Sequence, residues 1–139
     1  MVSRFLLAVV IGAIVIAVAV GCGNESSDSS EAIKVVKDFY AAVNAKDVDK
    51  AMKYVADTAV LVNPNGTFRG KEEVRKELIR SFFVTFDHSN FRANDGRVVY
   101  DFKVKDVYGR VLAQGTDGPT IVEDEKIVFD GTERTEQSR

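Results

Sequence analysis

The side chains able to do chemistry in this chain are few and far apart. It has one histidine, His88, and one cysteine, Cys22. His88 lies in an alternating segment, with Phe86 and Asn90 on its own side and Asp87 on the other. Paired with Tyr100 or Asp117 from later segments, it could serve as an acid or base. The simpler alternative is a half-exposed strand histidine with no partner. One histidine and one cysteine are too few for the usual zinc ligand sets. Glu123-Asp124-Glu125 lacks the spacing of an EF-hand and reads as a solvated turn. There is no Gly-x-Ser-x-Gly elbow and no phosphate-cradling glycine loop. No metal and no cofactor are expected. A net charge of −2 with mixed signs gives no electrostatic footprint for nucleic acid.

Cys22 stands in a distinctive place. A basic start, Met1 to Arg4, leads into an unbroken apolar run from Phe5 to Val20, then Gly21. This is the layout of an export signal. As a helix the 16-residue run reaches about 24 Å, short of the about 20 apolar residues a bilayer core needs. Ala19-Val20-Gly21-Cys22 resembles the lipid-attachment site of a bacterial lipoprotein, with Ala19 where leucine is usual. The resemblance implies a signal peptide over 1–21 and a lipidated Cys22. The other reading is an uncleaved anchor with a buried thiol. Both place the rest of the chain outside the cytoplasm, in the cell envelope and held at a membrane. Gly23 to Ser30 is polar and small, and is expected to be a disordered tether. No further cysteine is present, so no disulfide supports the domain.

The remaining chain must position any site. Ala32, Val35, Val36, Phe39, Tyr40 and Val43 recur at helical spacing, which predicts a helix over Glu31 to Ala45 capped by Ser30. Asp47 is the expected N-cap of a short helix, Val48 to Val55. Thr58 to Asn63 reads as a strand, Asn63-Pro64-Asn65-Gly66 as a turn, and Thr67 to Arg69 as the return strand. Lys71 to Phe83 carries Val74, Leu78, Ile79, Phe82 and Phe83 as a third helical face, with Glu73 as a capping acid. The period then becomes two. Strands are expected over 85–94, over 98–105 with Val98, Tyr100, Phe102 and Val104 on one face, over Val111 to Val122, and over Lys126 to Thr132. Asn94-Asp95-Gly96 marks a hairpin, and Gly115 and Gly118 mark bends. Short turns make the strands antiparallel. Helices on one side of such a sheet make an α+β domain over 31–133, with a polar tail at 134–139.

Phe39-Tyr40-Ala41-Ala42-Val43-Asn44-Ala45-Lys46-Asp47, Ala56-Asp57-Thr58-Ala59-Val60 and Phe68-Arg69-Gly70-Lys71-Glu72-Glu73-Val74 resemble the SnoaL-like, nuclear transport factor 2-like superfamily. The resemblance covers 31–132. It implies a cone in which three helices pack on a curved, mainly antiparallel sheet, with a pocket in the wide mouth. Ketosteroid isomerase shares that fold and uses a first-helix tyrosine and an aspartate base at the end of the first strand. Counting from Asp47, these fall on Phe39 and Asn63. Phenylalanine donates no hydrogen bond, and an amide takes no proton. Tyr40 is about 100° further round the helix and is expected to be a poor substitute.

The expected pocket residues are Phe39, Val55, Asn63, Phe82, His88, Tyr100 and Phe102, with no catalytic residue assigned. With both isomerase positions blank, the expected function is binding of a small apolar ligand without catalysis. An isomerase, cyclase or dehydratase with His88, Tyr100 or Asp117 is the alternative. A module that forms a homodimer through its sheet is the third reading. Fold alone does not choose among them.

Overall fold

The structure is a computed structural model and describes residues 24–131. Helix α1 spans Asn24–Asn44 and α2 spans Val48–Met52. Strands β1 (Val55–Asn63) and β2 (Gly66–Arg69) form a hairpin that leads into α3 (Gly70–Arg80) and a single 3₁₀ turn, Ser81–Phe83. Four more strands follow: β3 (Thr85–Asn94), β4 (Arg97–Lys105), β5 (Val111–Glu123) and β6 (Lys126–Gly131). They form one six-stranded sheet in the order β2-β1-β6-β5-β4-β3. Only the β1–β6 pair is parallel. The helices pack on the inner face of this curved, mixed sheet, the α+β architecture expected.

Three boundaries differ from the sequence expectation. The segment 24–30, expected to be a disordered tether, is the first part of α1, and Ser30 is not a cap. It contains no glycine or proline. Extending a formed helix costs far less than starting one. Val55 belongs to β1 rather than to α2, which ends at Met52. The last turn of α3 tightens to 3₁₀, a common helix ending.

The local signals otherwise act as their chemistry dictates. Asp47 Oδ1 accepts the Lys50 N–H at 3.0 Å and starts α2. Glu73 Oε2 accepts the Arg69 N–H at 2.7 Å and starts α3. Asp95 and Gly96 take φ of 52° and 71° in the β3–β4 hairpin. A Cβ on Gly96 would sit 2.6 Å from the Val122 carbonyl oxygen, so only glycine fits.

The inside-facing side of α1 supplies Val35, Val36, Phe39, Ala42 and Val43, all buried. All but Val36 close on Ala51, Met52, Val55, Ala59, Val74, Leu78 and Ile127, and Val36 packs with Ala32, Val98 and Tyr100. Each such valine or leucine contributes about 1.5–3 kcal/mol by leaving water. The outward sheet face is polar instead. Lys105 pairs with Asp87 at 2.5 Å, and Asp101 accepts from Asn90 at 2.7 Å and Thr116 at 2.8 Å. The exposed large apolar residues lie elsewhere, at Val107, Tyr108, Val111 and Leu112 around the β4–β5 turn and at Ile79 and Phe83.

Candidate functional site

Three strand irregularities bring the site together. Opposed residues of an antiparallel pair face the same side, and one extra residue reverses the side of everything beyond it. In β3, Ser89 pairs with Asp101 but Arg92 pairs with Val99, so β3 carries one extra residue. Asn90 sits there at φ 52° and turns outward to Asp101. Phe91, not Asn90, therefore joins His88 inside, with ring centroids 6.4 Å apart. In β5, Tyr100 pairs with Asp117 and Val98 with Thr120, so the extra residue falls at Gly118-Pro119. Asp117 and Thr120, three positions apart, both face inward as a result. In β6, Phe129 pairs with Ile121 and Ile127 with Val122. Ile127 and Asp130 are consequently both buried.

These strands and the C-terminal half of α1 enclose a cavity of about 240 Å³. Its wall is mainly apolar, from side chains such as Leu61, Leu78, Phe86, Phe102 and Val104. Four groups interrupt that surface with titratable atoms: Tyr40, His88, Asp117 and Asp130.

Asp130 is the centre of a buried hydroxyl network. The Tyr40 hydroxyl donates to Oδ2 at 2.7 Å. The Thr120 hydroxyl donates to Oδ1 at 2.6 Å, and the Tyr100 hydroxyl to the same atom at 3.3 Å. The Tyr100 oxygen also lies 3.2 Å from that of Tyr40 and 3.1 Å from that of Thr120. Burial raises the Asp130 pKa from its ordinary value; the Thr120 and Tyr40 hydrogen bonds oppose the rise and the charge of Asp117 adds to it. Burial likewise raises both tyrosines, with the Asp130 charge reinforcing it. Both hydroxyls therefore keep their protons at any ordinary pH.

The proton count explains what this network can do. Three hydroxyl protons face one carboxyl. When Asp130 is ionised, all three can point at it or at one another. When Asp130 is protonated, its own proton needs an acceptor, and the Tyr40 oxygen is 2.7 Å away. The Tyr40 O–H is then released. Tyr40 and Asp130 are the members of the network on the cavity wall, so that hydrogen can turn to a ligand. A protonated Asp130 would leave the Tyr40 O–H to point at the Tyr100 oxygen, 3.2 Å away, or at a ligand.

His88 plays a different part. Its ring lies 4.0 Å from Tyr40, 4.7 Å from Tyr100 and 6.2 Å from Phe86 by centroid. Burial among these rings lowers its pKa to about 4, opposed by Asp87. It is a neutral aromatic plate at neutral pH. Among the described residues no hydrogen bond orients its nitrogens.

The chain matches the SnoaL-like domain model over residues 36–132. It belongs to the SnoaL-like domain family. No curated protein matches it. Among solved structures it is similar to an LEH-like epoxide hydrolase from M. tuberculosis, at 22% identity and TM-score 0.61, covering 73% of this chain and 80% of that one. A putative polyketide cyclase from Sinorhizobium meliloti is 13% identical with TM-score 0.61, covering 69% and 90%. An NTF2-like protein of unknown function from Cytophaga hutchinsonii is 16% identical with TM-score 0.60, covering 70% and 84%. At these identities the likeness is one of fold.

Of the residues expected in this SnoaL-like pocket, Phe39, Asn63, His88 and Phe102 line the cavity. Tyr100 is fully buried behind the wall and acts through its hydroxyl. Val55 is corrected to the apolar core, because it starts β1 under α1. Phe82 is corrected to the outside of the wall, where the Lys46 ammonium stacks 5.5 Å over its ring. Tyr40 overturns the expectation that a 100° step would remove it. Its long side chain carries the hydroxyl back into the site, beside Phe39 at 4.9 Å. Asn63 Oδ1 accepts the Asn65 N–H at 2.8 Å, the turn role expected of it, and its Nδ2 donates to Glu77 at 2.8 Å. Asp130 and Thr120 were not anticipated. A lone acid within Ile127-Val128-Phe129-Asp130-Gly131 was the available signal. Cys22 lies outside the described residues.

Proposed function

We propose that this SnoaL-like domain binds a small, mainly apolar molecule through an oxygen and transfers a proton at that oxygen. The Tyr40–Asp130 pair donates the hydrogen bond or proton. Asp117, the second carboxyl on the wall, is the group available to receive a proton elsewhere on the ligand. The observation that carries this reading is the 2.7 Å Tyr40–Asp130 bond on the wall of an apolar cavity. Paired titratable groups with displaced pKa values in such a place are the usual signature of acid–base catalysis. Relatives of the same fold described as an epoxide hydrolase and a putative polyketide cyclase support a catalytic reading over simple storage. The outward sheet face carries the Lys105–Asp87 and Asn90–Asp101 pairs, which weighs against an apolar homodimer contact there.

The test is turnover of small lipophilic epoxides and unsaturated ketones by the full chain, followed by gas chromatography and mass spectrometry. Tyr40→Phe and Asp130→Asn are each expected to lower turnover by about 100-fold or more, the usual contribution of a general acid. Turnover unaffected by both would reject the assignment. Binding without turnover of any compound would return the domain to a carrier.

The same proposal places the domain outside the cytoplasm, held at a membrane by acyl chains on Cys22, with Ala19-Val20-Gly21-Cys22 as its support. Two or more chains give stable anchoring. Cys22→Ala should release the protein from the membrane fraction and remove the acyl mass. Unchanged mass and fractionation would refute lipidation.

A further inference from the structure

The charges around the cavity are one-sided. Among the described residues its wall carries the carboxyls of Asp117 and Asp130 and no lysine or arginine. Lysines and arginines next to wall-bearing segments are committed to other partners. Lys46 donates to the Val84 carbonyl at 2.6 Å, Lys105 pairs with Asp87 at 2.5 Å, and Arg110 pairs with Asp106 at 2.6 Å. His88 adds no positive charge at neutral pH, because its rings exclude water. The polar Asn63 and Ser81 on the wall spend their donors on Glu77, and three aromatic rings make a π-surface. Phe86 and His88 lie nearly parallel, at 15°, and Tyr40 closes on both. Aromatic faces attract cations and give nothing to anions.

Asp117 is the carboxyl best placed to act on a ligand's charge. It is half-buried on the wall, unlike the enclosed Asp130. Its Oδ1 accepts the neighbouring Gly118 N–H at 2.8 Å, which fixes the group. Its field reaches the hydroxyl network, where it raises the pKa of both Asp130 and Tyr100.

We propose that this cavity selects by charge, accepting neutral and amine-bearing ligands and excluding carboxylates and phosphates, with Asp117 as the residue that sets the preference. The inference rests on the binding reading given above. It narrows the ligand class: a flat or aromatic molecule that carries a ketone, epoxide or hydroxyl oxygen, with an amine nitrogen tolerated and an acid group refused.

Three probes of one shape test it: 2-naphthol, 2-naphthylmethylammonium and 2-naphthoate. The chain contains no tryptophan, so naphthalene fluorescence reports them directly. Titrations use the full chain in detergent at pH 7, blanked against detergent alone. The ammonium probe should bind at least as tightly as naphthol. Naphthoate should bind about 100-fold more weakly, since like charges placed together repel. Asp117→Asn keeps the oxygen that holds Gly118, so the fold survives. It should raise the naphthoate affinity relative to that of naphthol by at least ~10-fold, because it removes the like charge. Naphthoate bound as tightly as naphthol, or all three probes shifted alike by Asp117→Asn, would overturn charge selection alone. Failure of naphthol to bind would overturn the binding reading and this inference together.

Discussion

Two carboxylic acids are buried among the described residues, and their surroundings differ in one chemical respect. Asp130 is held by three hydroxyls. Glu77 is held by two amides: Asn63 Nδ2 and Asn65 Nδ2 each donate to its Oε1 at 2.8 Å. Its Oε2 has no hydrogen-bond partner, and the Arg80 guanidinium stands 3.8 Å away. Hydroxyls can turn, accept and pass on a proton. Amide nitrogens only donate. A carboxyl among hydroxyls can therefore share a proton with its neighbours, while a carboxyl among amides can only grip them. Glu77 grips the β1–β2 turn against α3, and that turn brings Asn63 and Pro64 to the cavity wall. Asp130 is on the wall itself. One acid supports the site, and the other operates it.

Exchanging charge for amide at each position should separate the two roles. Asp130→Asn carries the largest expected effect: turnover falls by about 100-fold or more while the fold is kept, as thermal melting would show. Glu77→Leu comes next. It strands the half-buried Asn63 amide and should cost about 1–2 kcal/mol of stability in denaturant titrations, with turnover per folded molecule largely retained. Turnover lost as deeply as in Asp130→Asn would break the distinction. Glu77→Gln keeps an oxygen for the amides, and its cost should be under about 1 kcal/mol.

The pH dependence of stability sharpens the same contrast with opposite slopes. The folded-state pKa of Asp130 is raised, so its contribution is full below the ordinary carboxylate value and is lost as pH rises through the folded value. The folded-state pKa of His88 is lowered from 6.5 to about 4, so its contribution is present above 6.5 and is lost as pH falls toward 4. Asp130→Asn should remove the first slope. His88→Phe should remove the second and keep the aromatic wall. Unchanged slopes would mean that neither group is buried as described.

The sequence revealed the helices and the cone far better than the site. The apolar spacing of α1, the Asp47 cap and the Asn94-Asp95-Gly96 turn are local signals, and each is met in the structure. Of the apolar face expected for α3, only Val74 and Leu78 are buried, while Ile79 and Phe83 are exposed. The facing of the β-strand residues was legible only up to a bulge. Alternation put Asn90 beside His88, and the extra residue in β3 replaced it with Phe91. The bulges in β5 and β6 turned Asp117, Thr120 and Asp130 inward, and no local pattern announces such a reversal. Tyr40 was set aside on helix angle alone, although its reach outweighs one step of rotation. The site forms where the strand pattern breaks, which is where a rule of alternation fails.

Proton sharing between Asp130 and Tyr40 is the central claim, and carboxyl NMR reads it directly. The side-chain ¹³C resonance of Asp130, assigned by its loss in Asp130→Asn, is followed as pH changes. A midpoint clearly above the ordinary aspartate range, shifting in Tyr40→Phe, is expected. A midpoint at or below that range, indifferent to Tyr40→Phe, would contradict that sharing.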